Sequence, residues 1–257
     1  MLNVIHHASQ GTKPPLLIAH GLYGSGRNWG VIAKRLSDRG PVMAVDMRNH
    51  GTSPWFSEHS YEDMAADLAE VIEAKTDGPI DVLGHSMGGK AAMVLALTRP
   101  DLVHRLIVAD IAPVSYGHSQ AQYIDAMRSV DLSAITKRSD AEAQLKGVVD
   151  DPALIPFFTQ SLDVKEKKWR LNLDTLEAEM PKILSFPDLD GRFDGKTLFL
   201  SGANSDYVAR EYRARIKDLF PDATFIKIKD AGHWLHAERP REFESAVRGW
   251  LENTASV

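Results

Sequence analysis

A serine stands among glycines in the run Gly84-His85-Ser86-Met87-Gly88, and Gly89 follows it. The apolar stretch Ile80 to Leu83 precedes this run, and the alanine-rich stretch after it is typical of a helix. Glycines around a serine permit a tight turn from strand to helix, which projects the serine at the helix N-terminus. There the helix dipole stabilises negative charge that develops during attack on a carbonyl. The pattern therefore predicts that Ser86 is a nucleophile.

A serine nucleophile needs a general base within hydrogen-bond reach of its hydroxyl. His233, in Gly232-His233-Trp234, follows the last predicted strand and comes after Ser86 in the chain. A loop at that position brings an imidazole to the edge of the sheet that carries the serine. Of the ten histidines, only His233 directly follows the final predicted strand, and we predict that it is the base.

Two aspartates are candidates for the acid that orients His233. Asp110 ends a strand predicted over Leu106 to Ala109, and Asp206 lies in the loop after the next strand. Both fall between Ser86 and His233, so chain order does not decide between them. The position of Asp206 is the commoner one for the acid in a fold of this kind.

The glycine-rich run His20-Gly21-Leu22-Tyr23-Gly24-Ser25 follows a predicted strand, Leu16 to Ala19. In such a fold this loop supplies one backbone N–H to the oxyanion, and the residue after the nucleophile supplies another. The predicted donors are the backbone amides of Leu22 and Met87. Loss of one such donor typically costs on the order of 3 kcal/mol of transition-state stabilisation.

Strands and helices must position these residues. Along the chain, short apolar runs typical of strands alternate with helical patterns. This alternation predicts an α/β fold with a mostly parallel central sheet flanked by helices. The helix predicted over Tyr61 to Lys75 has one apolar face, formed by Met64, Leu68, Val71 and Ile72. The predicted strands are Leu16–Ala19, Val42–Val45, Ile80–Leu83, Leu106–Ala109, Thr197–Leu200 and Thr224–Ile228, and the predicted flanking helices are Asn28–Asp38, Tyr61–Lys75, Met87–Thr98, Ala209–Leu219 and one that begins at Pro240.

The alternation is interrupted between residues 113 and 187, where short helical patterns and prolines occur. We expect this segment to be a helical cap over the catalytic edge of the sheet. Residues 1–112 and 188–257 then form the α/β core domain. The basic stretch Lys165 to Arg170 is predicted to be a solvated helix face. The helices expected in the cap are Gln120–Val130, Asp140–Val149 and Asp174–Ile183.

The composition limits the classes of function. The 257 residues include no cysteine, which excludes disulfides, thiolate zinc sites and a cysteine nucleophile. A net charge of −5 gives no reason to expect nucleic acid as a partner. No apolar run approaches the ~20 residues that span a bilayer, and the first 15 residues lack the apolar core of a signal peptide. We expect a cytoplasmic protein that needs neither metal nor cofactor. The sequence leaves its oligomeric state open.

Together the serine, histidine and oxyanion motifs resemble the α/β-hydrolase superfamily over nearly the whole chain. A closer resemblance lies in Asp46 to Pro54, Gly84 to Lys90, Asp110 to Val114 and Gly232 to Glu238. These motifs resemble a small bacterial esterase and acyl-CoA thioesterase family with mitochondrial relatives among the abhydrolase-domain proteins. The resemblance implies hydrolysis of short to medium acyl esters, with acyl-CoA thioesters as further substrates. It also implies that Asp110 is the acid, with Asp206 as the alternative.

Other functions are compatible with the same motifs. Cofactor-free haloperoxidases and carbon–carbon bond hydrolases share them, and a fold does not fix the reaction. A ligand sensor that retains the three residues is a less favoured alternative, because nothing in the chain suggests a partner-binding appendage. The favoured hypothesis is a serine hydrolase that forms an acyl-enzyme on a small-molecule ester or thioester.

Overall fold

The computed structural model describes residues 1–117 and 119–254. Within these residues, a seven-stranded sheet lies between helices, and a two-stranded hairpin lies apart from it. The strands, in chain order, are β1 Asn3–His7, β2 Leu16–Ala19, β3 Val42–Asp46, β4 Ile80–His85, β5 Val103–Ala109, β6 Leu162–Asp163, β7 Lys168–Trp169, β8 Thr197–Gly202 and β9 Ala223–Ile228.

The order of strands in the sheet is β1-β3-β2-β4-β5-β8-β9. Only β1 runs antiparallel to its neighbour β3, and every other adjacent pair is parallel. The carboxyl ends of β2, β4, β5, β8 and β9 therefore meet at one edge. The loops that carry the predicted site residues all leave from this edge, as the alternating pattern predicted.

Helices cover both faces of the sheet. Helices α1 and α11 pack on one face, and α2, α3 and α9 on the other. The α-helices, in chain order, are α1 Gly30–Leu36, α2 Tyr61–Lys75, α3 Met87–Thr98, α4 Gln122–Arg128, α5 Arg138–Leu145, α6 Leu154–Thr159, α7 Leu173–Ala178, α8 Met180–Leu184, α9 Arg213–Leu219, α10 Leu235–Glu238 and α11 Pro240–Asn253.

Local signals explain the bounds of α2 and α11. Ser60 caps α2, because its hydroxyl accepts the N–H of Asp63 at 3.1 Å. The predicted apolar face of α2 is buried, which confirms the periodicity. Helix α11 begins at Pro240, whose missing N–H is not needed in a first turn. The apolar face of α11 packs against the sheet.

Several predicted elements were wrong. Strand β1 was missed because it is a half-buried edge strand without an alternating pattern. The helix predicted over Asp174–Ile183 is two helices, α7 and α8, since Glu179 leaves the helical region and Pro181 lacks an N–H. The stretch Lys165 to Arg170 is not a helix face. It forms the turn and second strand of the β6–β7 hairpin, with Lys167 at a positive φ of 51°.

Residues 113–187 contain α4 to α8 and the hairpin. The segment is tied to the rest of the chain by long-range hydrogen bonds. The Tyr61 hydroxyl donates to the Ile183 carbonyl at 2.5 Å, and the Ser161 hydroxyl donates to the Tyr23 carbonyl at 3.1 Å. None of the helices within the described ranges combines the length and apolarity needed to cross a membrane.

Candidate active site

Ser86 lies at the turn between β4 and α3, as the first residue outside the helix. Its backbone has φ 53° and ψ −120°, a conformation that costs a non-glycine residue free energy. A Cβ on Gly84 would collide with the backbone of Gly88, and one on Gly88 would collide with the backbone of Ala19. The glycines flanking the serine are therefore required because strand, turn and helix approach closely. The hydroxyl of Ser86 is presented at the helix N-terminus.

His233 lies in the loop between β9 and α10, beside Ser86. Its Nε2 is 3.0 Å from Ser86 Oγ, and its Nδ1 is 2.8 Å from Asp110 Oδ2. A carboxylate accepts only, so Nδ1 carries the proton and Nε2 accepts from the serine hydroxyl. The ring stacks on Tyr207 with centroids 4.1 Å apart, and the carbonyl of His233 lies 2.8 Å from His85 Nε2. The stacking on Tyr207 and the hydrogen bond to His85 fix the position and the orientation of the imidazole ring.

Asp110 follows β5 directly, with a positive φ of 53°, and is fully buried. Its Oδ1 accepts the N–H of Gly202 at 3.0 Å, and its Oδ2 accepts the hydroxyl of Ser205 at 2.5 Å. Three donors, including His233, therefore surround the carboxylate. Hydrogen bonds of this kind hold the carboxylate in one orientation toward the imidazole.

Asp206 occupies the loop after β8, in the same stretch as Ser205, but its side chain is exposed. Among the described residues no hydrogen bond joins Asp206 to His233; the carboxylate that touches the imidazole is that of Asp110. The β8 loop instead contributes donors to Asp110. Sequence reasoning missed the role of Ser205, although the small polar residues of the Gly202 to Asp206 loop were a signal for it.

The two predicted oxyanion donors lie on either side of Ser86. Met87 begins α3, and the first N–H groups of a helix have no partner within the helix. Leu22 lies in the loop after β2 and lines both cavities that border Ser86. The following residue, Tyr23, has a positive φ of 63°, so this loop turns sharply beside the serine.

Two buried histidines hold the loop that contains Leu22. His50 Nε2 accepts the N–H of Tyr23 at 3.1 Å, while its Nδ1 is 2.8 Å from the Arg48 carbonyl. His20 Nε2 accepts the N–H of Met47 at 2.9 Å. Burial lowers the pKa of both histidines, which keeps them neutral and able to accept. The Asn49-His50-Gly51 motif indicated a shaped loop beside the pocket, but no local pattern predicted the bonds that His20 and His50 make.

A third histidine, His59, links the loop after β3 to the turn that carries Ser86. His59 Nδ1 is 3.1 Å from Asn49 Nδ2, and its Nε2 is 3.3 Å from the sulfur of Met87. Burial lowers the pKa of His59 to about 4, so the ring is neutral and its Nδ1 accepts from the Asn49 amide. The loop before α2 therefore contacts the residue next to Ser86.

Lys90 is buried one turn into α3. Its Nζ donates to the carbonyls of Leu184 at 3.0 Å and Ser185 at 2.5 Å, and it lies 4.8 Å from the centroid of the Tyr116 ring. Burial lowers the pKa of this lysine to about 7. The lysine links α3 to the end of α8, a contact that a helical pattern alone does not reveal.

Ser86 borders two small cavities. The first, of about 20 Å³, is also bordered by His233 and Trp234. The second, of about 30 Å³, is also bordered by Lys90 and Tyr116. Two aromatic residues line these cavities, Phe157 the first and Tyr116 the second. Phe158 is buried in the core, while Trp55 and Phe56 are exposed.

Metal ions in proteins are held mainly by histidine, cysteine and carboxylate side chains. Across residues 1–117 and 119–254, no three of them lie close enough together to hold a metal ion. His236, beside the first cavity, instead stacks on Trp29 with centroids 4.2 Å apart. Burial lowers its pKa to about 3.

A parallel sheet, a serine on a strained strand-to-helix turn and a histidine after the last strand define a class of hydrolytic enzyme. The chain belongs to the alpha/beta hydrolase family, whose sequence profile matches residues 16–246. Its fold is the α/β-hydrolase fold, and it is an esterase-type hydrolase of that family.

Particular relatives share most of the chain. It is 40% identical to the sn-1-specific diacylglycerol lipase ABHD11 of Mus musculus, over 93% of this chain and 81% of that one. It is 35% identical to Esterase YbfF of Escherichia coli, over 95% of this chain and 96% of that protein. A solved structure, described as a marine microorganism esterase, superposes with a TM-score of 0.92 at 39% identity, covering 97% and 99% of the two chains.

Proposed function

We propose that this enzyme cleaves carboxylic esters, and thioesters such as acyl-CoA, with Ser86, His233 and Asp110 as a catalytic triad. The observation that carries the proposal is the continuous hydrogen-bonded chain of these three side chains, at 3.0 Å and 2.8 Å. Each link has the length that proton transfer and ring orientation require. Asp110 is preferred to Asp206 as the acid because its carboxylate is the one in contact with the imidazole.

The reaction proceeds through an acyl-enzyme. His233 accepts the proton of Ser86 as the oxygen attacks the carbonyl, and the amides of Leu22 and Met87 stabilise the oxyanion. The protonated imidazole then gives its proton to the departing alcohol or thiol. Water then attacks the acyl carbonyl as His233 takes one of its protons. The bond to Ser86 breaks as the imidazolium returns that proton to the serine oxygen, which releases the acid. Asp110 stabilises the imidazolium and holds its tautomer without itself becoming protonated.

The substrate class follows from the relatives and the site together. The relatives named above are an esterase and a diacylglycerol lipase, and both act on carboxylic esters. The same oxyanion chemistry cleaves a thioester, whose thiol leaves more readily, so acyl-CoA thioesters belong to the proposed range. We expect short to medium acyl groups. The basic stretch gives little support for a CoA phosphate site, since Arg170 pairs with Asp163 and Lys167 donates to the Ser133 carbonyl.

We also propose that residues 113–187 act as a cap on the core formed by 1–112 and 188–257. The hydrogen bonds from Lys90 to Leu184 and Ser185 support this role, because they hold the end of the segment against α3, the helix that begins beside Ser86. Phe157 and Tyr116, from the same segment, line the cavities beside Ser86. The cytoplasmic location stays a prediction from the sequence.

The test is hydrolysis of p-nitrophenyl esters and acyl-CoA thioesters of graded chain length by the wild type and by Ser86→Ala. We expect Ser86→Ala to lower kcat by on the order of 10⁴-fold or more, since no other group can form the acyl-enzyme. Ser57→Ala is the matched control, because Ser57 is exposed and its hydroxyl donates to the neighbouring carboxylate of Glu58.

Equal losses in both variants, or full activity in Ser86→Ala, would overturn the proposal. A wild type that ignores every ester and thioester but cleaves a vinylogous diketone would instead support carbon–carbon hydrolysis on this fold. A fluorophosphonate probe provides a readout independent of substrate choice. It should label the wild type and the Ser57→Ala variant, and it should not label Ser86→Ala.

A further inference from the structure

The two sides of Ser86 differ chemically, because only one of them contains His233. The leaving alcohol or thiol must receive its proton from the imidazole, so it departs on the side of the histidine. The first cavity is bordered by both Ser86 and His233. The second is bordered by Ser86 and Met87 but, among the described residues, not by His233. The first cavity therefore lies on the leaving-group side and the second on the acyl side.

The acyl side is confined. Its cavity measures about 30 Å³, little more than the space for one or two water molecules. Tyr61, Lys90 and Tyr116 form its far wall, and Lys90 is held there by the carbonyls of Leu184 and Ser185. Because that wall is buried and hydrogen-bonded, lengthening the acyl group means displacing it. A short acyl group fits without such a change.

The leaving-group side adjoins a much larger space. A surface groove of about 810 Å³ shares walls with the first cavity, formed by Asn28, Phe157 and Trp234. This volume is within the range of small-molecule sites. Two residues that line the groove are hydrogen-bonded to each other, since Asn28 Nδ2 donates to Gln160 Oε1 at 2.5 Å.

The groove is amphipathic. Its polar rim carries both signs of charge, with Arg27, Asp151 and Glu238. Its apolar surface is contributed by the first turn of α1, by α6 and by the loop after His233. The apolar lining includes Val31, Ala153, Leu154, Pro156, Phe157 and Trp234. Val31 is 62% exposed and adds apolar surface to the groove.

We propose that this groove binds the alcohol or thiol half of the substrate as a long alkyl chain, while the cavity beside Lys90 admits only a short acyl group. The inference rests on the proposed function and specifies its substrate class. The enzyme thus prefers short-chain acyl esters of long-chain alcohols or thiols, and chain length matters on the side of His233.

Two isomeric esters test this directly. Decyl acetate and ethyl decanoate have the same composition and similar hydrophobicity, but the long chain lies on opposite sides of the ester bond. We expect kcat/KM for decyl acetate to exceed that for ethyl decanoate by about tenfold or more, because only the decyl group can be buried in the groove. Equal values, or a preference for ethyl decanoate, would overturn the inference.

A variant locates the effect in the groove. Ala153 is an exposed residue of its lining, so Ala153→Trp fills the groove without disturbing the core. This variant should lose about tenfold in kcat/KM for decyl acetate and keep its rate on ethyl acetate. Ala66→Trp is the matched control, an exposed alanine on α2 outside both cavities and the groove. It should change neither rate.

The outcomes separate this inference from the function on which it rests. Hydrolysis of ethyl acetate that depends on Ser86, without any preference between the two isomers, rejects the inference and retains the proposed function. An Ala153→Trp variant that loses activity equally on decyl acetate and ethyl acetate also rejects it. No hydrolysis of any ester rejects both.

Discussion

Ser86 and Asp110 both have a φ of 53°, in the left-handed region. Such a conformation costs a non-glycine residue about 1 to 3 kcal/mol and persists only where the surroundings impose it. The neighbouring strand ends impose it here. The N–H of Ser86 donates to the Ala109 carbonyl at 3.0 Å, and that of Asp110 donates to the Leu200 carbonyl at 2.9 Å. The side chains are therefore oriented by backbone bonds before any substrate arrives.

Replacing each of the two candidate acids by asparagine, one at a time, tests their roles. Asp110→Asn should lower kcat by on the order of 10⁴-fold, because an amide at this position stabilises neither the required tautomer of His233 nor its imidazolium. Asp206→Asn should change kcat by less than about twofold, since its carboxylate is exposed and screened by solvent. Steady-state rates on a p-nitrophenyl ester, with circular dichroism to verify folding, provide the measurement. A larger loss in Asp206→Asn would reassign the acid.

At the scale of elements, the site is assembled by loops that are hydrogen-bonded to one another. The loop after β2 carries Leu22, and the loop after β3 holds it through the bond between His50 and the N–H of Tyr23. The β3 loop is itself fixed to the segment 113–187, because Gly51 N–H donates to the Arg170 carbonyl at 2.8 Å. Displacement of any of these loops would move the amides that we propose as oxyanion donors.

His50 should act as a positioning residue. His50→Ala removes the acceptor for Tyr23 N–H, which leaves the loop with Leu22 less well placed. We expect kcat to fall about tenfold or more, with a smaller change in KM, because the oxyanion develops only in the transition state. His50→Gln should recover part of kcat, since an amide both accepts from Tyr23 and donates to Arg48. A fall in melting temperature with unchanged kcat would show a structural role alone.

Considered as a whole, the molecule buries an unusual set of neutral histidines around its site. Burial is the largest cause that lowers the pKa in every case, to about 4 for His59 and about 3 for His236. Neutral rings accept hydrogen bonds and stack without a desolvation penalty for charge. They also couple folding to pH, because the same residues accept protons readily once unfolded. The set comprises His20, His50, His59, His85 and His236.

The sign of this coupling follows from the lowered pKa values. Below the ordinary histidine pKa of 6.5, the unfolded chain binds protons that the folded chain does not. The free energy of unfolding is therefore highest above that pH and falls as the pH falls toward the folded pKa values. Each histidine that stays neutral contributes a slope of about 1.4 kcal/mol per pH unit within that window.

His236→Phe isolates one contribution. A phenyl ring preserves the stacking on Trp29 but does not titrate, so the pH slope between about pH 6 and pH 5 should decrease by about 1.4 kcal/mol per unit. Urea unfolding at a series of pH values measures both slopes. Carboxylates such as Asp46, whose pKa is lowered, act in the same direction but in a more acidic range. Parallel slopes for the wild type and the variant would contradict the assignment.

Local chemistry explains how much the sequence determined by itself. The bounds of α2 and α3 were predicted at Tyr61–Lys75 and Met87–Thr98 and are observed there, because caps, periodicity and the glycine turn are all encoded within a few residues. Ser86 and His233 were predicted as nucleophile and base for the same reason, since each lies in the loop or turn that follows a recognisable strand. The parallel sheet followed from the alternation of short apolar runs with helical patterns.

Only the tertiary structure decided which aspartate lies against His233. Asp110 and Asp206 both follow strands of the same edge, and a turn with positive φ directs the first inward while the second faces solvent. Long-range contacts were equally hidden. His50 bonds to a residue 27 positions away, and Lys90 to one 94 positions away. Such contacts depend on how the loops and the segment 113–187 pack against the sheet. No local pattern of residues predicts that packing.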